Sequence, residues 1–153
     1  MRFSAIPKLA VALVAGLLVT GVAQAANTPD TLAGAKRVSA EDVAKLQASG
    51  AVVIDSRVAA EYAEGHIKGA KSVPYREKSK KAADFDASQD QFNLAKLPGD
   101  KGAAIVIYCN GASCWKSYKA CSAAIKGGYT NVHWYREGFP EWKSKGLPVA
   151  VVD

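Results

Sequence analysis

With 153 residues, 49% of them hydrophobic and 22% charged, the chain has the material for one domain around a single core. Its formal net charge of +6 comes from lysines scattered along the chain rather than gathered with aromatic residues into a stripe, which argues against nucleic acid as a partner. Three cysteines are too few for a disulfide scaffold, and their odd number leaves at least one thiol unpaired or reactive in an oxidising compartment.

Residues 1–25 open with Arg2 and Lys8, run through LAVALVAGLLVTGVA and end on Ala23-Gln24-Ala25. A basic start, a short apolar centre and a small-x-small end predict a secretory signal peptide cleaved after Ala25. The apolar run is shorter than the roughly 20 residues a spanning helix needs. The expectation is a periplasmic or secreted protein with no membrane association after cleavage. Residues 26–36 lack apolar periodicity and read as a flexible lead-in to one domain over 37–153.

Ser39, with Asp42 three residues on, predicts a helix start; Val43 and Leu46 share its apolar face and Gly50 stops it. AVVID at 51–55 reads as a strand buried on both faces. A brief helix over AAEYAEGH (59–66) and a short strand KSVPY (71–75) follow, then a solvated excursion over 76–91 and a helix within 87–97. AAIVIYC (103–109) is the clearest strand and KSYKACSAAIKGG (116–128) the clearest helix, stopped by Gly127 and Gly128. NVHWY (131–135) is the last strand candidate, and residues 137–149 are turn-rich. Strands alternating with helices predict an α/β fold, a small parallel sheet flanked by helices on both faces.

In such sheets ligands bind beyond the carboxyl ends of the strands, where Cys109 sits. The loop Asn110, Gly111, Ala112, Ser113, Cys114, Trp115, Lys116, Ser117 leads from it into a helix, so backbone amides and the positive helix end can hold an anion. A thiolate is such an anion, and these surroundings can bring a cysteine pKa from about 8.5 to about 3.5–7.5. The expectation is a nucleophilic Cys109; the alternative is a buried structural cysteine at a strand end. Cys114 reads either as a second thiol that resolves Cys109 as a disulfide or as a small apolar filler beside Trp115. Cys121, among Ala120, Ala123 and Ala124, reads as packing. The C-x4-C spacing, without a close His or Cys pair, misses the zinc pattern, so neither metal nor cofactor is expected.

VIDSRVAAEYAEGHIKGAKSVP at 53–74 resembles the first signature of rhodanese-like domains, and YREGFPEWKSKGLPV at 135–149 resembles the second. With the cysteine loop between them, the resemblance covers nearly all of residues 37–153. It implies an α/β fold and a sulfurtransferase or persulfide carrier. Cys109 would take sulfane sulfur from a small donor, thiosulfate or a persulfide, and pass it to a thiol acceptor, itself expected to be periplasmic. It also implies supporting roles for Asp55 and Arg57 and a structural role for His66, while His133 reads as a strand residue. Family sulfurtransferases place Arg-Ser five residues after the cysteine; Lys116-Ser117 comes seven after Cys109, so this loop is two residues longer. Related phosphatases use an arginine fork that Lys116 lacks, which favours sulfur transfer over phosphate chemistry. Lys116 becomes the expected holder of an anionic donor and Trp115 an apolar wall for a larger one. A Cys-Trp pair in this loop is similar to that of exported rhodanese-like proteins found with quinoprotein oxidation systems. The alternatives are a thiol-disulfide redox protein using Cys109 and Cys114, and a non-catalytic binding module of the same fold.

Overall fold

The computed structural model describes residues 26–153; the signal-peptide expectation falls on residues outside these. The described chain forms β1 (Ala35–Arg37), α1 (Ala40–Ala48), β2 (Val52–Asp55), α2 (Ala59–Glu64), β3 (His66–Ile67) and β4 (Lys71–Ser72). After two short 3-10 turns come β5 (Ile105–Tyr108), α3 (Trp115–Lys126), β6 (Val132–Tyr135), α4 (Gly138–Ser144) and β7 (Val149–Ala150). Five strands make a parallel sheet in the order β1-β6-β5-β2-β4, and β3 pairs with β7 antiparallel in a small second sheet.

The central strands read as unbroken apolar runs because both of their faces are covered. Alternate residues of β5 point opposite ways: Ile105 and Ile107 pack with Trp115, Tyr118, Ala120 and Ala124 of α3, whereas Val106 and Tyr108 pack with Val43 of α1 and Trp142 of α4. The alanines of α3 and Cys121 let that helix lie close on the sheet. α1 starts where its local chemistry dictates, with Ser39 Oγ accepting from the Asp42 amide and the Asp42 carboxylate accepting from the Ser39 amide, both at 3.1 Å. Among the described residues no helix is long and apolar enough to cross a membrane.

Three expectations are corrected. Residues 26–36 are not a loose lead-in, because Ala35–Arg37 pairs in parallel with β6 and Thr28 is buried. The stretch 87–97 holds 3-10 turns rather than a helix: the Asp86 and Asn93 side chains start them by accepting from the Ser88 and Ala95 amides, and extended backbone at Asp90 and Leu97 ends each after three residues. The turn-rich stretch contains α4, in which Pro140 occupies the first turn, where its missing N–H costs nothing. The excursion over 76–91 is mostly exposed, as expected, but is pinned at a few points: Lys119 of α3, fully buried, reaches Glu77 at 2.8 Å, Ser79 Oγ at 2.8 Å and Asp90 at 3.8 Å.

Candidate active site

Because β2, β5 and β6 are parallel and in register, Asp55, Cys109 and Arg136 come to the same edge of the sheet. From Cys109 the chain turns sharply, with Gly111 at φ +123° and the Cys114 amide donating back to the Gly111 carbonyl at 3.0 Å, then enters α3. Asn110 and Ser113 are exposed; Gly111, Ala112, Cys114 and Lys116 are half-buried; Cys109, Trp115 and Ser117 are buried.

The two thiols of this loop are not equivalent. Cys109 is 0% exposed; its Sγ donates to the Cys114 carbonyl at 3.2 Å, lies 3.1 Å from Ser117 Oγ and receives the Ser117 amide at 3.4 Å. Burial, and then the neighbouring Cys114 sulfur, push the Cys109 thiol well above its ordinary range. The Cys114 thiol moves the other way. A hydrogen bond from the Cys109 thiol is the largest influence, and against the opposing effect of burial the Asn110 and Lys116 amides and the Lys116 charge help bring it down to about 6. The expectation of an ionised Cys109 is therefore corrected. The lengthened loop folds back so that Cys109 is sealed beneath it while Cys114 stays half-buried. Cys121 is 0% exposed and burial pushes its thiol up, so it packs and does not react.

Asp55 and Arg57 brace this edge from beside the loop. Arg57 donates to both Asp55 oxygens and to the Gly65 carbonyl and lies 4.3 Å from the Phe139 ring centroid. Asp55 accepts from the Tyr108 hydroxyl at 2.6 Å, which holds the residue before Cys109. Trp115 is 3% exposed and packs edge-on to Tyr118, so it belongs to the core and is not the wall of an open cleft. Lys116 lines a cleft of about 320 Å³ with Val58, Ala59, Pro74, Tyr75, Arg76 and Glu77, beside the loop. His66 stacks on Tyr62 with ring centroids 3.7 Å apart, and His133 bonds Asn131 within its own strand region. Among the described residues, no group of three or more His, Cys, Asp or Glu gathers as a metal site.

Sequence reasoning missed two groups that hold the loop. Gly138 lies so close that a Cβ there would be 2.3 Å from the Cys109 carbonyl oxygen, and the Phe139 amide donates to that oxygen at 2.9 Å. Thr28 donates to the Ala112 carbonyl from its amide at 2.8 Å and from its hydroxyl at 2.9 Å. Arg136 in turn donates to Thr28 Oγ1 at 3.0 Å and to its carbonyl at 2.6 Å. No local pattern signals Thr28, which lies 84 residues from its partner. Thr28→Val keeps the shape and removes the hydroxyl bonds, at a cost of about 1–2 kcal/mol, so labelling of Cys109 by a small alkylating agent is expected to quicken by about tenfold. Unchanged labelling would show that the clamp does not hold the loop.

Residues 39–145 match the family described as Rhodanese-like domain. A thiosulfate sulfurtransferase of Pseudomonas entomophila is 32% identical over 109 residues, covering 71% of this chain and 85% of that protein. An HTH-type transcriptional regulator of Mycobacterium tuberculosis is 34% identical over 110 residues, which is 72% of this chain but only 42% of the regulator. Among solved structures, a thiosulfate sulfurtransferase of Pseudomonas aeruginosa superposes with a TM-score of 0.58 at 22% identity, covering 78% of this chain and 21% of that one. A Bacillus halodurans protein gives 0.57 at 24% identity over 76% and 77% of the two chains. At such identities the superpositions show the fold alone. The family match, spanning the first signature, the cysteine loop, most of the second signature and the five-stranded parallel sheet's central strands, establishes that this chain belongs to the rhodanese-like domain family.

Proposed function

We propose that this chain is an exported sulfurtransferase or persulfide carrier. It takes sulfane sulfur from a small donor, thiosulfate or a persulfide, onto its two-cysteine loop and hands it to a thiol or other nucleophile, with a periplasmic protein as the acceptor. The observation that carries this reading is the position of Cys109 directly after the central strand β5, with a second thiol five residues on and backbone amides turned toward sulfur. The name of the Pseudomonas entomophila relative supports the reaction class. The basic, then apolar, residues 1–25 support export.

Persulfide transfer needs an ionised sulfur, an anion site and no metal. The loop is two residues longer than in family sulfurtransferases and carries Lys116 where they carry Arg, so it grips the sulfonate of thiosulfate less well. Glutathione persulfide is therefore expected to give the higher specificity constant. The test is single turnover with each donor, counting sulfur recovered as protein persulfide or as sulfide. Wild type is expected to accept one sulfur per chain and the Cys109→Ser/Cys114→Ser double variant none. Failure of wild type with both donors, or undiminished uptake by the double variant, sinks the reading.

A further inference from the structure

Resting on that sulfur-transfer reading, we propose that a basic groove running away from the cysteine loop docks an acidic, cysteine-bearing segment of the protein that receives the sulfur. Two clefts join to form it. The cleft of about 320 Å³ beside the loop and a larger one of about 560 Å³ share Pro74 and Arg76 as a common wall. The larger cleft continues over Val73, Phe92 and Asn93 to Lys96. An ion as small as thiosulfate fills neither, whereas an extended peptide occupies both. At its near end the groove meets the chemistry, because Lys116 is followed by Ser117, whose Oγ lies 3.1 Å from Cys109 Sγ.

The charges along this groove are sorted by sign. Its acids are buried and already occupied: Asp90 accepts from the Tyr75 and Ser79 hydroxyls and from the Lys78 and Ser79 amides, and Glu77 pairs with buried Lys119 at 2.8 Å. Its cations are not. Among the described residues the side chains of Arg76, Lys96 and Lys116 make no hydrogen bond or ion pair, and Arg76 and Lys96 are exposed. By contrast Arg37, Lys80 and Lys145, which do not line the groove, each have a carboxylate partner within 3.1 Å. Arg76 is fixed at the junction of the two clefts by backbone bonds exchanged with Gln91, at 2.9 and 3.0 Å. Half-buried Phe92 and exposed Val58 add apolar contact. The Lys119 cluster fastens the wall to α3, so little ordering remains to be done on binding. The ligand complementary to such a surface is extended, acidic and partly apolar, as an acidic peptide segment is.

With the segment seated, its cysteine reaches the loop at the Lys116 end. The segment's thiolate attacks the outer sulfur of the Cys109 persulfide; a new S–S bond forms to the segment as the bond to Cys109 breaks. The products are the segment's persulfide and the Cys109 thiolate. The proton shed by the incoming thiol is taken up by Cys109 through solvent. The sulfane sulfur keeps its oxidation level, so no oxidant or reductant takes part. The groove contributes orientation, holding the attacking sulfur where the loop can present its own.

The test uses a pair of synthetic peptides of equal length around a single cysteine, one rich in Glu and Asp and its counterpart rich in Lys. Protein loaded from glutathione persulfide and freed of excess donor is mixed with each, and the rate of sulfur transfer to the peptide thiol is measured. Wild type is expected to favour the acidic peptide by about tenfold or more at low salt, with the ratio shrinking as salt rises. Arg76→Glu and Lys96→Glu are each expected to lower that ratio by about tenfold. Lys45→Glu makes the same change of charge on α1, which packs on the other face of the sheet, and is expected to keep the ratio. Because the two peptides are compared within one protein, general damage to turnover cancels. Equal rates for both peptides in wild type overturn the groove, and so does an equal fall of the ratio in Lys45→Glu, which would leave net charge alone as the cause. Fluorescence anisotropy of labelled peptides carrying Ser in place of Cys reads docking without sulfur. If wild type takes no sulfur from any donor, the sulfur-transfer reading falls, and tighter binding of the acidic peptide by wild type than by Arg76→Glu still accepts the groove, as equal binding rejects it.

Discussion

Lys119→Met is expected to destabilise the protein by about 3–5 kcal/mol, because it removes one partner of a buried ion-pair cluster and leaves the other uncompensated. The Lys119 side chain is 0% exposed, Glu77 9% and Asp90 1%. Asp90 is the best-held member. Burial raises its carboxyl, yet the Ser79 hydroxyl, the Ser79 and Lys78 amides and the Tyr75 hydroxyl outweigh that effect and hold it well below the usual carboxylate range. Glu77 depends on Lys119 far more, so Glu77→Gln placed on Lys119→Met is expected to recover part of the loss. The cluster fastens residues 76–91 to α3, and the same stretch lines the cleft beside Lys116. Denaturant unfolding of the three proteins measures the effect. A Lys119→Met variant with the wild-type midpoint would show that the excursion is held by something else.

Gly138→Ala is expected to cost about 2–4 kcal/mol, from a left-handed backbone and forced overpacking together, and to lower sulfur-transfer turnover by about a hundredfold. Gly138 has φ +71°, and its added Cβ would lie 2.3 Å from the Cys109 carbonyl oxygen and 2.7 Å from the Gly111 nitrogen. These are backbone atoms that cannot swing aside as a flexible side chain would. To make room, the turn at Cys109 must move, and the Phe139 amide bond to Cys109 at 2.9 Å goes with it. Gly146→Ala is the internal control. Its φ is +68° with nothing within 4 Å, so it carries the backbone strain without the clash. If both variants lose stability and turnover equally, contact with the cysteine loop is not what demands glycine at 138.

The parts of the fold legible in the sequence are those whose cause is local. α1 announces itself through Ser39 and Asp42, because a capping box is closed within four residues. β5 is a run of four residues that are all 0% exposed, and no solvent-facing alternation competes with that reading. α3 has small residues on its sheet-facing side and two glycines at its end. The two signatures and the loop between them carry the family, so Cys109 could be named before any coordinates. Gly138 and Pro140, read singly, signal a turn, yet both fit the first turn of a helix whose buried Phe139 and Trp142 have a sheet face to cover.

Other features exist only because distant segments meet. β1 has two exposed residues out of three and becomes a strand by pairing with β6. Thr28 becomes part of the site through bonds to Ala112 and Arg136, and Lys119 is tolerable inside the protein through Glu77 and Asp90. The sequence by itself determined the fold class, the family and the presence of two thiols in one loop, because periodicity, caps and motif spacing are written along the chain. Only the tertiary structure decided which thiol faces the mouth of that loop. Exposure depends on the path of the backbone through space, and here that path buries Cys109 completely and leaves Cys114 half-buried.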